Sequence, residues 1–212
     1  MSNLRRYGLC LFVILCAACI YLLSVHLDYL RYSNEVIEEM MYFPSGRFTR
    51  ITSMGFQTVV ADLLWLRGIQ YYGAHRKTDK YYPLAEHIFQ TIVDLDPHFL
   101  NAYRFGSFVL SQDMGQPDLA INLLKLGCRK NWWAWQPFFD LGFIYYIDLN
   151  QPLKAARYFN LSSRLPNAPE ITRRFCAFAF RKAGRNQIAK RLWAEIYRST
   201  SNKVMKRTAL YA

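Results

Sequence analysis

The sequence predicts an all-α chain, with one apolar helix at the amino terminus followed by about four helical hairpins stacked side by side. Three observations carry that expectation. Ala85, Ala120, Ala155 and Ala189 lie 35, 35 and 34 residues apart, the period of stacked helix pairs. Turn-forming residues punctuate the chain at matching intervals. Gly8–Val25 (GLCLFVILCAACIYLLSV) runs for 18 residues without a charge.

That apolar run comes first in the chain. At about 1.5 Å per residue it reaches roughly 27 Å, enough to cross the hydrocarbon core of a bilayer. Arg5 and Arg6 precede it, and Asp28, Arg31, Glu35, Glu38 and Glu39 follow. Under the positive-inside bias this places the amino terminus in the cytoplasm and the rest on the extracytoplasmic, periplasmic side, as in a single-pass signal-anchor protein. A cleaved signal peptide is the competing reading. Against it, the run is long for such a peptide, and Tyr21-Leu22-Leu23 continue it past the small pair Ala17-Ala18. A lipoprotein site at Cys19 fits less well, because Cys16 stands where leucine is usual.

The expected division is residues 1–25 as cytoplasmic stub and transmembrane helix, 26–50 as juxtamembrane stalk, and 51–212 as the repeat domain. Within the stalk, Asp28–Met41 is amphipathic through Leu30, Val36, Ile37, Met40 and Met41, and ends before Pro44-Ser45-Gly46. Its two turns of apolar spacing are too few to claim a coiled coil. Met54–Tyr72 is strongly apolar, but Asp62 and Arg67 near its centre make a second membrane span costly. The expectation is a buried first helix of the first hairpin.

From there each alanine is followed four positions later, one turn on along the same helix face, by a bulky residue: Phe89, Leu124, Phe159 and Trp193. Upstream stand Gly68, Gly106, Gly142 and Ala177, each followed three positions later by Tyr71, Val109, Tyr145 and Phe180. A small residue where a neighbouring helix crosses closely, with a large one to fill the adjoining groove, is the packing chemistry of a helical-hairpin solenoid. The expected packing residues are therefore Gly68, Ala85, Gly106, Ala120, Gly142, Ala155, Ala177 and Ala189. Turn signals fall between them at Asp96-Pro97, Gly115-Gln116-Pro117, Asn150-Gln151-Pro152, Pro166-Asn167-Ala168-Pro169 and Gly184-Arg185-Asn186.

Over about residues 57 to 200 these positions resemble the tetratricopeptide repeat (TPR) family, whose consensus sets Gly/Ala and Tyr in the first helix, Ala and Phe in the second, and Pro at the end. The resemblance implies a right-handed solenoid. It departs from the pattern in three places. The interval from Gly68 to Ala85 is 17 residues against 14, 13 and 12 in the later units, an insertion expected in the loop His75-Arg76-Lys77-Thr78-Asp79-Lys80. Trp132 stands where the second unit's closing Pro belongs, and the last unit has none.

Composition agrees with a folded domain plus one short apolar segment: 52% hydrophobic, 17% aromatic, with mean hydropathy near zero. Three cysteines, Cys10, Cys16 and Cys19, lie in the apolar segment. Cys128 and Cys176 fall two repeat units apart, too far for a disulfide whose Cα atoms must approach within about 7 Å. Buried reduced thiols are expected. Net charge is +12, and much of it is late. From residue 170 on, Arg173, Arg174, Arg181, Lys182, Arg185, Lys190, Arg191, Arg198, Lys203, Lys206 and Arg207 face only Glu170 and Glu195. An exported location argues against nucleic acid. Anionic lipid headgroups or an acidic protein are the better partners, and a solvated helix face is the plain reading for most of these charges.

Catalytic patterns are missing. His26, His75, His87 and His98 show no metal-ligand spacing, and no phosphate loop or nucleophile elbow occurs. Asp94-Leu95-Asp96-Pro97 reads as a hairpin end, not a carboxylate pair. The expectation is a non-enzyme with no cofactor or metal.

The surface that solenoids use is the concave face lined by their first helices. One stripe through those helices gives Trp65, Tyr72, Tyr103, Phe139, Phe143, Tyr146, Arg174, Phe178, Arg181 and Lys182. Such a groove offers an apolar middle and a cationic end to an extended peptide or helix. The plainer alternative is that these aromatics belong to the core. In Asn131-Trp132-Trp133-Ala134-Trp135 at least one indole is expected to be exposed at a hairpin junction. The functional expectation is a membrane-anchored scaffold for another envelope or membrane protein, the alternative a permanently packed subunit of a larger membrane complex.

Overall fold

The computed structural model describes residues 12, 15–23, 25–26, 49–51 and 53–211. The chain divides into two compact units, Met1–Phe43 and Pro44–Ala212. In the first unit the described residues are helical with exposed side chains. Residues 8–11, 13–14 and 24 of the proposed anchor, and the segment Asp28–Met41, lie outside the described residues. Among the described residues no helix is long and apolar enough to cross a membrane.

All regular structure described in the second unit is helical. After a short helical stretch at residues 49–51, nine α-helices follow: α1 (Gln57–Lys77), α2 (Ala85–Leu95), α3 (Leu100–Phe108), α4 (Pro117–Lys130), α5 (Trp135–Ile147), α6 (Pro152–Ser163), α7 (Glu170–Lys182), α8 (Asn186–Ser199) and α9 (Lys203–Tyr211). A single π-helical turn, Val109–Asp113, prolongs α3. Each helix packs on the next, and α3 also packs on α5, which orders the unit as hairpins α1/α2, α3/α4, α5/α6 and α7/α8.

The spacing of small and large residues becomes geometry at the crossings. A Cβ added to Gly68 would lie 2.9 Å from Ile88, one on Gly106 2.7 Å from Phe89, and one on Gly142 2.8 Å from Phe159. Glycine is required there because another helix's side chain occupies the space a Cβ would fill. Ala85, Ala120, Ala155, Ala177 and Ala189 are all buried, as are Phe89, Leu124, Phe159 and Trp193. Burying each such large side chain contributes about 1.5–3 kcal/mol.

The turns inside the second, third and fourth hairpins share one device. Gly115, Asn150 and Gly184 take left-handed φ values of 64°, 48° and 73°, and the next helix starts two residues later. The following N–H closes each turn, Gln116 to the Leu110 carbonyl at 2.9 Å, Gln151 to Tyr145 at 2.7 Å and Arg185 to Phe180 at 2.9 Å. Proline then opens α4 and α6 at the position whose N–H has no helical partner.

Two expectations about the first hairpin need correction. The insertion is not all loop, because α1 runs on through His75, Arg76 and Lys77, and only the residues after it leave the helix. Nor is α1 a buried helix. It buries Ala61, Gly68, Tyr71, Tyr72 and His75, while Val59, Leu63 and Leu66 are more than half exposed. Apolar residues stand on more than one side of the helix, and among the described residues its packing is chiefly against α2. After the fourth hairpin, α9 packs on α8, and Ala209 joins the cluster of Ala177, Trp193 and Ile196.

Candidate functional site

The first helices of the second and third hairpins meet through residues at matching positions. Arg104 and Asp140 stand two residues before Gly106 and Gly142, and Arg104 Nε donates to Asp140 Oδ2 at 2.9 Å. Gln112 and Asp148 stand six residues after the same glycines, and Gln112 Nε2 donates to Asp148 Oδ1 at 2.8 Å. Ser111 Oγ donates to the other oxygen of Asp148. Burial pushes the Asp140 carboxyl up from its ordinary range, and the Arg104 guanidinium pulls the other way.

Between these two ties lies an open cavity of about 320 Å³ walled by Phe108, Phe139, Phe143 and Ile144, with Ser107, Ser111 and Gln112 along α3. Phe108 and Phe143 keep 46% and 38% of their surface in solvent, so the apolar wall is incompletely filled by the chain itself. The π-helical turn supplies Ser111 and Gln112. Gly106 and Ala120 are separated by one residue more than Gly142 and Ala155, and a π turn absorbs a single extra residue without breaking the helix.

Beyond the cavity the aromatic wall continues. Phe175 of α7 lies 5.4 Å from Phe139, 6.0 Å from Phe143, 6.4 Å from Tyr146 and 5.4 Å from Phe159, ring centre to ring centre. Lys182 Nζ sits 4.6 Å over the Tyr146 ring and 3.4 Å from the Tyr146 carbonyl oxygen. Phe139, Phe143, Tyr146 and Lys182 of the expected stripe are therefore brought together.

The rest of the stripe is not. Tyr103 is fully buried, its ring against Gly127 and its hydroxyl donating to the Pro97 carbonyl at 3.2 Å. It is a packing residue. The reason lies on the facing helix, where Gly127 leaves a slot, whereas the matching residues of α6 and α8 are Ser162 and Ile196. Tyr72 is buried as well, stacked on Tyr82 at 5.5 Å. Trp65 is half-buried against Phe99 and Phe105. Phe178 turns to Trp193 at 5.0 Å, inside the fourth hairpin, and the Arg181 guanidinium lies over it at 5.3 Å. Arg174 is half-buried, and its Nε has no hydrogen-bond partner among the described residues.

Phe108, Phe175, Arg104 and Asp140 were missed by the sequence reading. Phe175 and Arg104 flank the packing positions Ala177 and Gly106 by two residues, and a second stripe drawn one residue over would have included them. At the junction after α4, Trp132 and Trp133 are exposed, and Trp135 is half-buried against Phe139 at 6.0 Å. No protein-family model matches this chain, and no curated protein matches it either.

Proposed function

We propose that this chain is a membrane-anchored, TPR-like helical-repeat scaffold of the cell envelope that holds an extended peptide or single helix of a partner protein along the faces of α3, α5 and α7. The single observation that carries the reading is the open apolar cavity between α3 and α5, cross-tied above and below and left with two half-exposed phenylalanines. A rigid apolar trough of that kind is what an inserted side chain uses. Anchorage by Gly8–Val25, with the repeats on the periplasmic side, rests on the uncharged run and on Arg5 and Arg6 before it.

The test has two arms. A photocrosslinking residue placed at Phe143 captures the partner from the protein's own membranes, and mass spectrometry identifies it. Phe143→Ala then weakens capture with little salt dependence, because it removes apolar contact area, whereas Lys182→Glu, which reverses the cation against Tyr146, weakens it in a manner that added salt mimics. Crosslinking at Phe143 that yields only self-contacts sinks the groove. Topology is read from spheroplasts, where added protease should digest the repeats; protection until the cells are opened reverses the orientation.

A second reading, a permanently packed subunit of a larger membrane complex, is favoured by the outer face of α1. Val59, Leu63 and Leu66 of α1, and Ile51, Met54 and Phe56 just before it, are each more than half exposed, an apolar patch of the kind that marks a protein interface. Sizing in mild detergent separates the two readings. A stoichiometric complex that survives high salt favours the subunit, and a chain that runs alone favours reversible docking.

A further inference from the structure

An arginine recurs at the ends of α4, α6 and α8, within the last turn of α4 and α8 and just past the last residue of α6. Arg129, Arg164 and Arg198 each stand nine residues after the packing alanine of their hairpin, 35 and 34 residues apart. All three are exposed, and none forms an ion pair among the described residues. In an array of hairpins, matching positions of successive units lie side by side, and by that register the three arginines belong to the edge that carries the inter-hairpin turns. The first hairpin has Asp94 at this position, its carboxylate taking a hydrogen bond from Gln90 at 2.9 Å, and the cationic row starts with the second.

On the same edge, just past Arg129, Trp132 and Trp133 are 69% and 44% exposed. They are displayed on a pinned turn. Asn131, 1% exposed, donates through Nδ2 to the carbonyls of Pro97 at 2.8 Å and Gly127 at 3.3 Å. Its Oδ1 lies 3.0 Å from His98 Nδ1. Trp133 packs on that histidine, ring centres 5.2 Å apart. A positive residue at a helix C-terminus answers the helix dipole, which accounts for one arginine per helix. It does not account for two indoles fixed outward beside them.

We propose that this edge rests on an anionic bilayer surface, with Trp132 and Trp133 at headgroup level and Arg129, Arg164 and Arg198 against lipid phosphates. Indole rings favour the membrane–water interface, and guanidinium groups match phosphate geometry. A nucleic acid fits less well. Trp132 and Trp133 stand edge to face at 85°, and Trp133 is already against His98, so the pair offers no parallel platform for successive bases. The exposed Leu161 and Tyr197 near the ends of α6 and α8 suit an interface and not a phosphodiester chain.

The experiment uses the full chain reconstituted into vesicles of phosphatidylcholine alone, or with about one third phosphatidylglycerol. Indole quenching is read from lipids brominated high on the acyl chain. Quenching in the anionic vesicles should be about twice that in the neutral ones or more, fall toward the neutral level with added salt, and fall likewise in the triple variant R129E/R164E/R198E. Trp132→Phe with Trp133→Phe should remove the anionic-dependent part, which assigns it to these indoles. If the triple reversal fails to melt like the parent, the Arg→Gln triple takes its place. Equal quenching in both vesicles, or a signal that survives in the double Trp variant, overturns the proposal. So does retention on a single-stranded oligonucleotide without any vesicle response.

Discussion

Gly142 and Gly73 both lie within helices, yet alanine should act on them in opposite directions. A Cβ at Gly142 meets the Phe159 ring at 2.8 Å, and that ring is itself fully buried, whereas nothing lies within 4 Å of a Cβ at Gly73. Gly142→Ala should cost about 1–3 kcal/mol through overpacking, while Gly73→Ala should gain about 0.5–1 kcal/mol by relieving the helix of glycine's backbone entropy. Ala155→Leu belongs with the first, since Ala155 is fully buried. Urea unfolding of the three variants checks this, and an unchanged midpoint for both Gly142→Ala and Ala155→Leu would mean that these are not close crossings. The thiols of Cys176, which is buried, and Cys128, only half-buried against the expectation, give a second residue-scale prediction. Burial pushes Cys128 and Cys176 from 9.0 up to about 12, so between those values the folded chain keeps protons that the unfolded chain loses. Stability must then fall as pH rises through that window, by up to about 1.4 kcal/mol per pH unit for each thiol. Melting curves from about pH 8 to 11 should show the slope, and Cys128→Ala with Cys176→Ala should flatten it below about pH 10, above which Tyr71, Tyr72, Tyr82, Tyr103 and Tyr158, all raised by burial, add a part of the same sign. An unaltered slope in the double variant would assign the loss elsewhere. The packing glycines and alanines were legible in the sequence because their periodicity repeats in every hairpin. Tyr103 was not, because its direction is decided by Gly127 on another helix.

At the scale of the element, the π turn of α3 shows what spacing reveals and what it leaves open. The extra residue between Gly106 and Ala120 is visible in the sequence, and a longer loop is its simplest reading. The helix absorbed it instead, because Ser111 and Gln112 gain Asp148 as a partner across the groove. Deleting Gln112 should therefore let α3 run on as an ordinary α-helix, at the expense of one hydrogen bond to a charged group, about 1.5–3 kcal/mol. Deleting Tyr145 from the regular helix α5 should be far worse, since every later side chain of that helix rotates off its face. Circular dichroism and cooperative melting distinguish them: a ΔGln112 chain that loses its helices would show the turn to be structurally indispensable. The outer face of α1 was illegible for a different reason. A strongly apolar helix reads as buried, and periodicity within one helix does not tell which of its faces the described neighbours leave open.

For the whole molecule, the contacts run almost entirely from each helix to the next, with α3 on α5 as the one tie between first helices that involves more than a few residues among those described. A row of that kind is held by nearest-neighbour interfaces and opens from its ends, because an end helix has one interface to lose and a middle helix has two. The aromatic contacts reinforce the middle: Phe139, Phe143, Tyr146 and Phe159 all meet Phe175, so α5, α6 and α7 share one cluster. Native-state hydrogen exchange on the full chain should accordingly find the amides of α5 to α7 slowest, those of α2 to α4 and α8 intermediate, and those of α1 and α9 fastest. Phe175→Ala, which removes one large ring from the shared cluster, should speed exchange in α5 and α6 as well as in α7, at a cost of about 3–5 kcal/mol if the cluster cannot close over the gap. Acceleration confined to α7 would show that the hairpins are stabilised one by one. Equal protection from α1 to α9 would show that the array opens only as a single cooperative unit.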